Sequence, residues 1–413
     1  MPAMSSPITD ATPITPPPPW EEGREEGQLI AADNRRPSVA IVGGGPTGMA
    51  LALALHHHGI VAEIFEARTR AEVRQDTRVL ALSDGSRQIL EWLGAWPQHA
   101  ATSIQRIHIS HRGALGRTLL RASEMDVQSL GWVLPAEQLI TTLETAINHA
   151  GIIYHEQKKV GTPRGLSRDG LKPAGRTGKT ADFALTAWAE GTVHDTGPVH
   201  DITTHDYAQH AVLCQAHTAE PHHHIAWERF TEEGPVALLP LGHAYAVVLT
   251  CAAADAARIT ALSDTDFLVL LQQRFGTRHR FTSVTPREDF PLGLRYRQQI
   301  VGERQVWLGN AAQTLHPVAG QGFNLALRDV WELARTLHHA PDPGSADRLA
   351  TYARHRQLDR RGAIAFTHAL INIFDSAFPP VRHARGAGLL ALDLLPPLKN
   401  LVARRMIFGA RAW

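Results

Sequence analysis

Two glycine-rich segments of this chain carry the residue types and spacings best suited to chemistry. The first, Gly43-Gly44-Gly45-Pro46-Thr47-Gly48, fits the pattern G-x-G-x-x-G. That spacing suits a diphosphate. Gly43 permits a tight turn, Gly45 lets the backbone approach a pyrophosphate, and Gly48 lets the following helix pack close to its strand with its N-terminus facing the phosphates. Glu66 stands roughly 20 residues further on, where a carboxylate accepts hydrogen bonds from a ribose. An acid there also repels a 2′-phosphate, which favours FAD or NAD over NADP. The second segment runs from Gly309-Asn310 through Thr314, His316, Pro317, Gly320, Gln321 and Gly322 to Phe323-Asn324. Free N–H groups around Gly320 to Asn324, together with the positive end of the helix that follows, would stabilise negative charge. Reduced flavin carries such charge at N1 and O2, whereas a nicotinamide ring does not need it. No second G-x-G-x-x-G unit follows the first. Two distant segments suit the two ends of one long ligand, and FAD is the reading.

These segments need elements to hold them. Ser38 to Val42 is a β-branched run that Gly43 ends at once, which predicts a buried strand. Met49 to His58 predicts a helix stopped by Gly59, and Ile60 to Phe65 a second strand with Glu66 at its end. Further on, Gln305 to Leu308 reads as a strand. A helix follows the second segment to about His339, with Val330, Leu333, Ala334 and Leu337 spaced to bury one face. Val236 to Leu239 and Tyr245 to Cys251 flank Gly242-His243 and predict a hairpin in a β-sheet substrate domain. Arg106 to Ser110 would add a strand to it.

Composition closes off other classes. The chain has 413 residues, of which 44% are hydrophobic and 20% charged, the usage of a folded protein of more than one domain. Lys+Arg 41 against Asp+Glu 40 gives a net charge of +1, so no long-range field exists to hold nucleic acid. Cys214 and Cys251 are the only cysteines. They exclude a disulfide framework or a cysteine zinc site and fit a reducing compartment. The 24 histidines include His56-His57-His58 and His222-His223-His224, but neither run has the spacing of metal ligands, and no metal is expected. Residues 1–36 contain PITPPPPW and EEGREEG, which read as a disordered tail. The tail lacks the basic start and apolar run of a secretory signal, and its acids exclude a mitochondrial transit peptide, so a cytoplasmic location is expected. Residues 382–413 hold six Lys/Arg against Asp393 alone, among many leucines. Such a segment suits attachment to an anionic membrane surface, here the inner face of the plasma membrane. The alternative is a helix packed on the protein's own core.

The stretch GNAAQTLHPVAGQGFNLALRD is nearly a family signature. With DTRVLALSDGSRQILEWLGAW (76–96), HDYAQHAV (205–212), AWERFTEEGPVALLPL (226–241) and LLPPLK (394–399), it resembles the class A FAD-dependent aromatic hydroxylases, within them the ubiquinone-biosynthesis branch. The resemblance covers about residue 37 to the C-terminus. It implies that Gly43, Gly45 and Gly48 hold the FAD pyrophosphate and Glu66 the adenosine ribose. Arg78 matches an arginine that approaches the pyrophosphate. Asn310 stands where the wider family has an aspartate on the ribityl chain, keeping an acceptor oxygen but losing the charge. Pro317, Gly320, Gln321, Gly322 and Asn324 match the loop and helix start beneath the isoalloxazine ring. The family's middle motif, Asp-Gly with Ser and Arg shortly after, has its nearest match in Ala189-Glu190-Gly191-Thr192-Val193-His194-Asp195, without that arginine.

The resemblance implies an α/β fold with α+β insertions, in which a Rossmann-like FAD-binding domain (37–100, 132–192 and 300–345) is interleaved with a β-sheet substrate domain (101–131 and 193–299). Helices occupy 346–413. The implied activity is NAD(P)H-dependent hydroxylation of a polyprenylated phenol with O2, through a flavin C4a-hydroperoxide. The hard chemistry would belong to the flavin, so no catalytic triad is expected. His316 is a candidate proton relay; the alternative is a packing histidine in a tight loop. Two other readings stand beside the hydroxylase. One is an FAD-bearing subunit of a quinone-biosynthesis complex without reductant docking, prompted by the altered middle motif. The other is a related flavin-dependent reductase.

Overall fold

A computed structural model describes residues 39–113, 116–161, 183–193, 201–315, 320–375, 388, 391 and 393–408. The expected tail, His316, Pro317, His194 and Asp195 lie outside the described residues. With strands and helices numbered in chain order, the first sheet is built on β1 (Val39–Val42), four apolar residues buried on both faces. β2 (Ala62–Phe65) and β9 (Leu185–Trp188) flank it in parallel. β8 (Ile153–His155) extends the sheet beyond β2, and β17 (Gln305–Trp307) extends it beyond β9, both parallel. β16 (Val301–Gly302) closes that edge in antiparallel pairing. Continuous apolar runs are what a parallel sheet covered on both faces requires.

Helix α1 (Pro46–His57) begins three residues before the expected Met49. Proline fits the first turn, where its missing N–H is no loss, so the helix starts inside the glycine motif. Residues Gly48 to Leu55 are all buried, because α1 is enclosed by the sheet, by α4 (Ala136–His149) and by α7 (Gln321–Leu337). On α7, Val330, Leu333, Ala334 and Leu337 are fully buried, as their spacing predicts.

A second, larger sheet runs β18 (Gln313–Thr314), β15 (Glu288–Arg297), β10 (Ile202–Thr218), β13 (Ala244–Ala252), β12 (Val236–Leu241), β11 (Ile225–Phe230), β5 (Arg106–His111), β6 (Arg117–Arg121). β14 (Phe281–Val284) also pairs with β10. β12 and β13 form the expected hairpin, with Gly242 at φ +59 in its two-residue turn. The strand expected at Arg106 joins this sheet parallel to β11. One face is covered by α5 (Ala253–Thr260) and α6 (Asp264–Phe275). A small third sheet, β3 (Val79–Ser83), β7 (Gly131–Pro135) and β4 (Thr102–Ile104), adjoins the other face. The remaining helices are α2 (Arg70–Arg74), α3 (Asp84–Trp92), α8 (Ala346–Asp375) and α9 (Pro396–Phe408). No helix among the described residues is long and apolar enough to cross a membrane.

The second glycine segment joins the two large sheets. β17 belongs to the parallel sheet and β18, six residues on, to the larger one, with a single 3-10 turn at Gly309–Ala311 between them. The chain then enters α7, which packs on α1.

Candidate FAD site

The glycine loop is held at three points. The Gly43 N–H donates to Phe65 O at 2.9 Å, which ties the end of β1 to the end of β2. The Gly44 N–H donates to Glu66 Oε2 at 2.8 Å, and the Tyr154 hydroxyl donates to Gly44 O at 3.1 Å. Packing explains the outer glycines. A Cβ on Gly43, at φ +109, would stand 2.6 Å from Ala189 O, and one on Gly48 would stand 1.9 Å from Gly43 O. Gly45 is different. Its φ of −76 and ψ of −174 are open to any residue, and no described atom lies within 4 Å of a Cβ placed there. Neither backbone nor packing asks for glycine at this position. A ligand lying against the backbone does.

Glu66 is 5% exposed and tightly held. Its Oε1 accepts from the Arg68 N–H and Nε, both at 3.0 Å. Burial pushes the carboxyl pKa up, but the hydrogen bonds from the Arg68 side chain, the Arg68 N–H and the Gly44 N–H outweigh it and hold the pKa below its ordinary value. The group is therefore an ionised acceptor, with lone-pair capacity left on Oε2 for a ribose hydroxyl. Glu66→Ala is expected to weaken FAD binding about 10- to 100-fold, in proportion to a lost charge-assisted hydrogen bond of about 1.5–3 kcal/mol. Titration of apoprotein with FAD, read by flavin fluorescence, measures it. A variant that binds FAD as tightly as the wild type would refute the assignment.

The second segment meets the first directly. A Cβ on Gly309, at φ +54, would stand 3.1 Å from the Thr47 side chain. Gly309 thus packs against the glycine loop. Asn310 Nδ2 donates to Gly191 O at 3.3 Å, while the Ala189 N–H donates to Val42 O at 2.7 Å. The expected middle motif, Ala189-Glu190-Gly191, is therefore brought to the same place. At the other end, Gly320 at φ +60 caps α7 against Ala81 of β3. The Asn324 side chain is engaged on both sides. Its Oδ1 accepts from the Ser83 N–H at 2.8 Å and the Ser86 hydroxyl at 2.6 Å, and its Nδ2 donates to Ala81 O at 2.9 Å and Gly320 O at 2.6 Å. Asn324 fixes the turn rather than presenting its own amide. Gln321 is buried, and a Cβ on Gly322 would meet no described atom within 4 Å.

Arg78 is placed less directly. Its guanidinium is held by Asp76, with Nε 2.8 Å from Oδ1. The Asp76 charge reaches Arg68, which holds Glu66. Arg78 therefore belongs to a chain of alternating charges beside the loop, while no described contact joins it to the glycines.

Both α1 and α7 lack a capping side chain and an acid in the first turn. By contrast, α2, α3 and α6 are capped by Thr69, Ser83 and Ser263. α4 and α5 also lack a cap but carry Glu137 and Asp255 in their first turns, so α1 and α7, with neither cap nor acid, leave backbone donors for an anionic ligand. Gly309 on Thr47 joins the start of the second segment to the glycine loop, and Gly320 is seated on Ala81 of β3 at its other end. These features fit FAD: an open cradle at Gly45, an ionised acid at the ribose position, and a second uncapped helix for the ring.

Sequence reasoning missed the residues that hold this surface together. Arg68 and Tyr154 anchor Glu66 and Gly44. Behind the second segment lies a buried polar cluster. Asp329 Oδ2 accepts from Gln313 Nε2 at 2.9 Å and the Gly309 N–H at 3.3 Å, and its Oδ1 accepts from Arg356 Nε at 2.7 Å. Arg356 and Arg328 both donate to Asp359, at 2.9 and 2.8 Å, and Arg360 Nε donates to Gln313 Oε1 at 2.7 Å. In α8, Arg356, Asp359 and Arg360 are spaced like an ordinary solvated pair set, so nothing in the sequence marks them as buried.

Comparisons with known proteins give the family and the fold. An uncharacterized protein, slr1300 of Synechocystis, is 31% identical over 382 residues, covering 89% of this chain and 92% of its own. The ubiquinone hydroxylase UbiL of Rhodospirillum rubrum is 28% identical over 393 residues, covering 92% and 91%. Among solved structures, PqsL of Pseudomonas aeruginosa in complex with 2-aminobenzoylacetate superimposes with a TM-score of 0.71 at 19% identity, over 86% of this chain and all of that one, a likeness of fold. The model of the FAD binding domain family matches residues 36–367. The chain belongs to that family, and it is an FAD-dependent monooxygenase of the class A aromatic hydroxylase type.

Proposed function

We propose that this chain hydroxylates a polyprenylated phenol in ubiquinone biosynthesis, with NAD(P)H as reductant and O2 as the oxygen source. The observation that carries the reading is Gly45, whose backbone is open to any residue and whose Cβ position meets no described atom, next to the Gly44 N–H that Glu66 holds. The relationship to a ubiquinone hydroxylase supports the substrate class. When bound, FAD supplies the redox chemistry and the activation of oxygen. The chain does the rest. The glycine loop and α1 bind the pyrophosphate, Glu66 the adenosine ribose, and Asn310 the ribityl chain. The uncapped start of α7 holds negative charge at the ring. The apolar inner face of the large sheet excludes water from the reacting ring.

The cofactor domain would comprise 37–100, 132–192 and 300–345, the substrate domain 101–131 and 193–299, and the helices 346–413. The six strands of the first sheet all fall in the first set. Peripheral membrane contact through 382–413 would let the enzyme take an apolar substrate. In the described part, Ala403 and Lys399 are buried against the protein, whereas Leu394, Leu395 and Leu401 are 67%, 51% and 41% exposed. Flotation with anionic liposomes tests it, and a protein that stays unbound refutes it.

The central test is anaerobic addition of NAD(P)H to the FAD-loaded protein. Flavin bleaching that accelerates with a prenylphenol, followed on aeration by a hydroxylated product, supports the hydroxylase. Absence of bleaching with either nucleotide favours the second reading, a subunit that holds FAD without docking a reductant. That reading is motivated by the middle motif. Its Glu190-Gly191 sits beside Asn310 but lacks the family's arginine.

A further inference from the structure

The larger sheet has two unlike faces. On one, Trp227, Tyr245, Val247 and Leu249 pack with Phe267, Leu271 and Phe275 of α6. Side chains alternate along a strand, so Ala226, Glu228 and Phe230 of β11 belong to the opposite face. The register sets Ile109 of β5 and Ala237 of β12 directly beside Glu228, with Val248 of β13 and Leu213 of β10 next in the row. On this same face Ala226, Leu239 and Ala246 meet Ile104 and Val133 of the small sheet. That small sheet also carries Ala81, against which Gly320 is seated. The face that bears Glu228 therefore lies across from the strands that position the flavin-ring turn.

A carboxylate among such apolar neighbours is uncommon. No described side chain bonds Glu228, and it keeps part of its surface accessible. Burial, with no charged neighbour contributing, pushes its carboxyl up to about 7. The titratable groups facing it are few. His111 stands on the same face of β5, beside Phe230. Glu288 of β15 shares the row four strands away, about 19 Å at the usual strand spacing, and accepts from Thr77. β3, β4 and β7 bring no charged residue. α9, whose Ala403 joins the same cluster, brings Lys399, Arg404 and Arg405, and Lys399 is paired with Glu124 at 2.7 Å.

We propose that Glu228 is the base that accepts the phenol proton of the substrate when its ring is hydroxylated. The assignment rests on the phenol substrate proposed above. In this step the phenol O–H bond breaks, the proton moves to the Glu228 carboxylate, and the electron pair stays on the phenolate oxygen. The carboxylate becomes a neutral acid, nothing is oxidised or reduced, and the ring gains the electron density that oxygen transfer needs. The acid then returns its proton to the product oxygen or to water. A base that titrates near working pH is suited to this exchange.

The test uses FAD-loaded wild type, Glu228→Gln and Glu228→Asp, with a 2-prenylphenol as probe. The phenolate band of the bound probe is read by difference absorbance of the oxidised enzyme, and hydroxylated product is measured under turnover, both from pH 6 to 9. In the wild type both signals rise through about pH 7. Glu228→Gln is expected to bind the probe in neutral form throughout, to lose the rise, and to form product about 100-fold more slowly at pH 7. Glu228→Asp should recover part of the rate and the pH dependence. Unchanged flavin content and circular dichroism in Glu228→Gln support the assignment, whereas loss of flavin there assigns the residue to folding and overturns it. A wild-type pH profile in Glu228→Gln overturns the base while leaving the phenol hydroxylase standing. A wild type that bleaches with NAD(P)H but binds no phenol at any pH overturns both.

Discussion

Asp329→Ala is expected to destabilise the fold by about 3–5 kcal/mol, the usual effect of removing one partner from a buried charge pair. Asp329 is 1% exposed and holds three groups at once. With it gone, the Arg356 guanidinium keeps only Asp359, and the Gly309 N–H and Gln313 amide lose their acceptor. The damage lands on the second glycine segment. Gly309 packs on Thr47 of the loop, so its displacement disturbs both segments proposed to hold FAD. Urea unfolding should show a lower midpoint, and the purified variant should carry less flavin. A variant with wild-type stability and full colour would show that the cluster does not fix the segment. The same cluster predicts an acid limit. Burial raises the Asp359 pKa, but the charges of Arg328 and Arg356 outweigh it and bring it down to about 2. Because the folded value lies below the ordinary one of 3.8, this contribution is complete above about pH 4 and is lost as pH falls toward 2.

The second large effect separates two glycines three residues apart. Gly48→Ala puts a Cβ 1.9 Å from Gly43 O, a backbone atom that cannot swing aside. α1 must move away from β1, at a cost of about 1–3 kcal/mol or more, and the loop loses its shape. Both stability and FAD content should fall. Gly45→Val should behave differently. Its backbone is extended, and the added side chain meets no described atom, so the apoprotein should keep the unfolding midpoint of the wild-type apoprotein. FAD binding should nonetheless be lost, because the side chain occupies the place proposed for the pyrophosphate. A Gly45→Val protein that purifies yellow would refute the placement of the cofactor.

Much of this was readable beforehand because the signals are local. A β-branched run ended by glycine could only be a short buried strand, and β1 is one. The spacing of Val330, Leu333, Ala334 and Leu337 marked the buried face of α7. The hairpin around Gly242-His243 followed from two apolar runs and a two-residue turn. Boundaries shifted where local chemistry competed, as at Pro46, which opens α1 inside the motif. The role of Asn324 was harder to read. Its family position is beneath the ring, yet its amide is taken up by Gly320 and by Ala81, Ser83 and Ser86, the last three some 240 residues away in the chain.

The order of residues alone determined the cofactor class, since the glycine spacing, the acid at the strand end and the second helix start are each set within a few residues. It also determined which face of α7 would be buried, through the spacing of Val330, Leu333, Ala334 and Leu337. Only the packed chain decided how the two segments meet, through Gly309 on Thr47. Only it decided that Arg356, Asp359 and Arg360 are interior groups rather than a solvated helix face, and that Glu228 stands alone among apolar neighbours. Burial and pairing depend on elements distant in sequence, and no local pattern encodes the partner that will arrive.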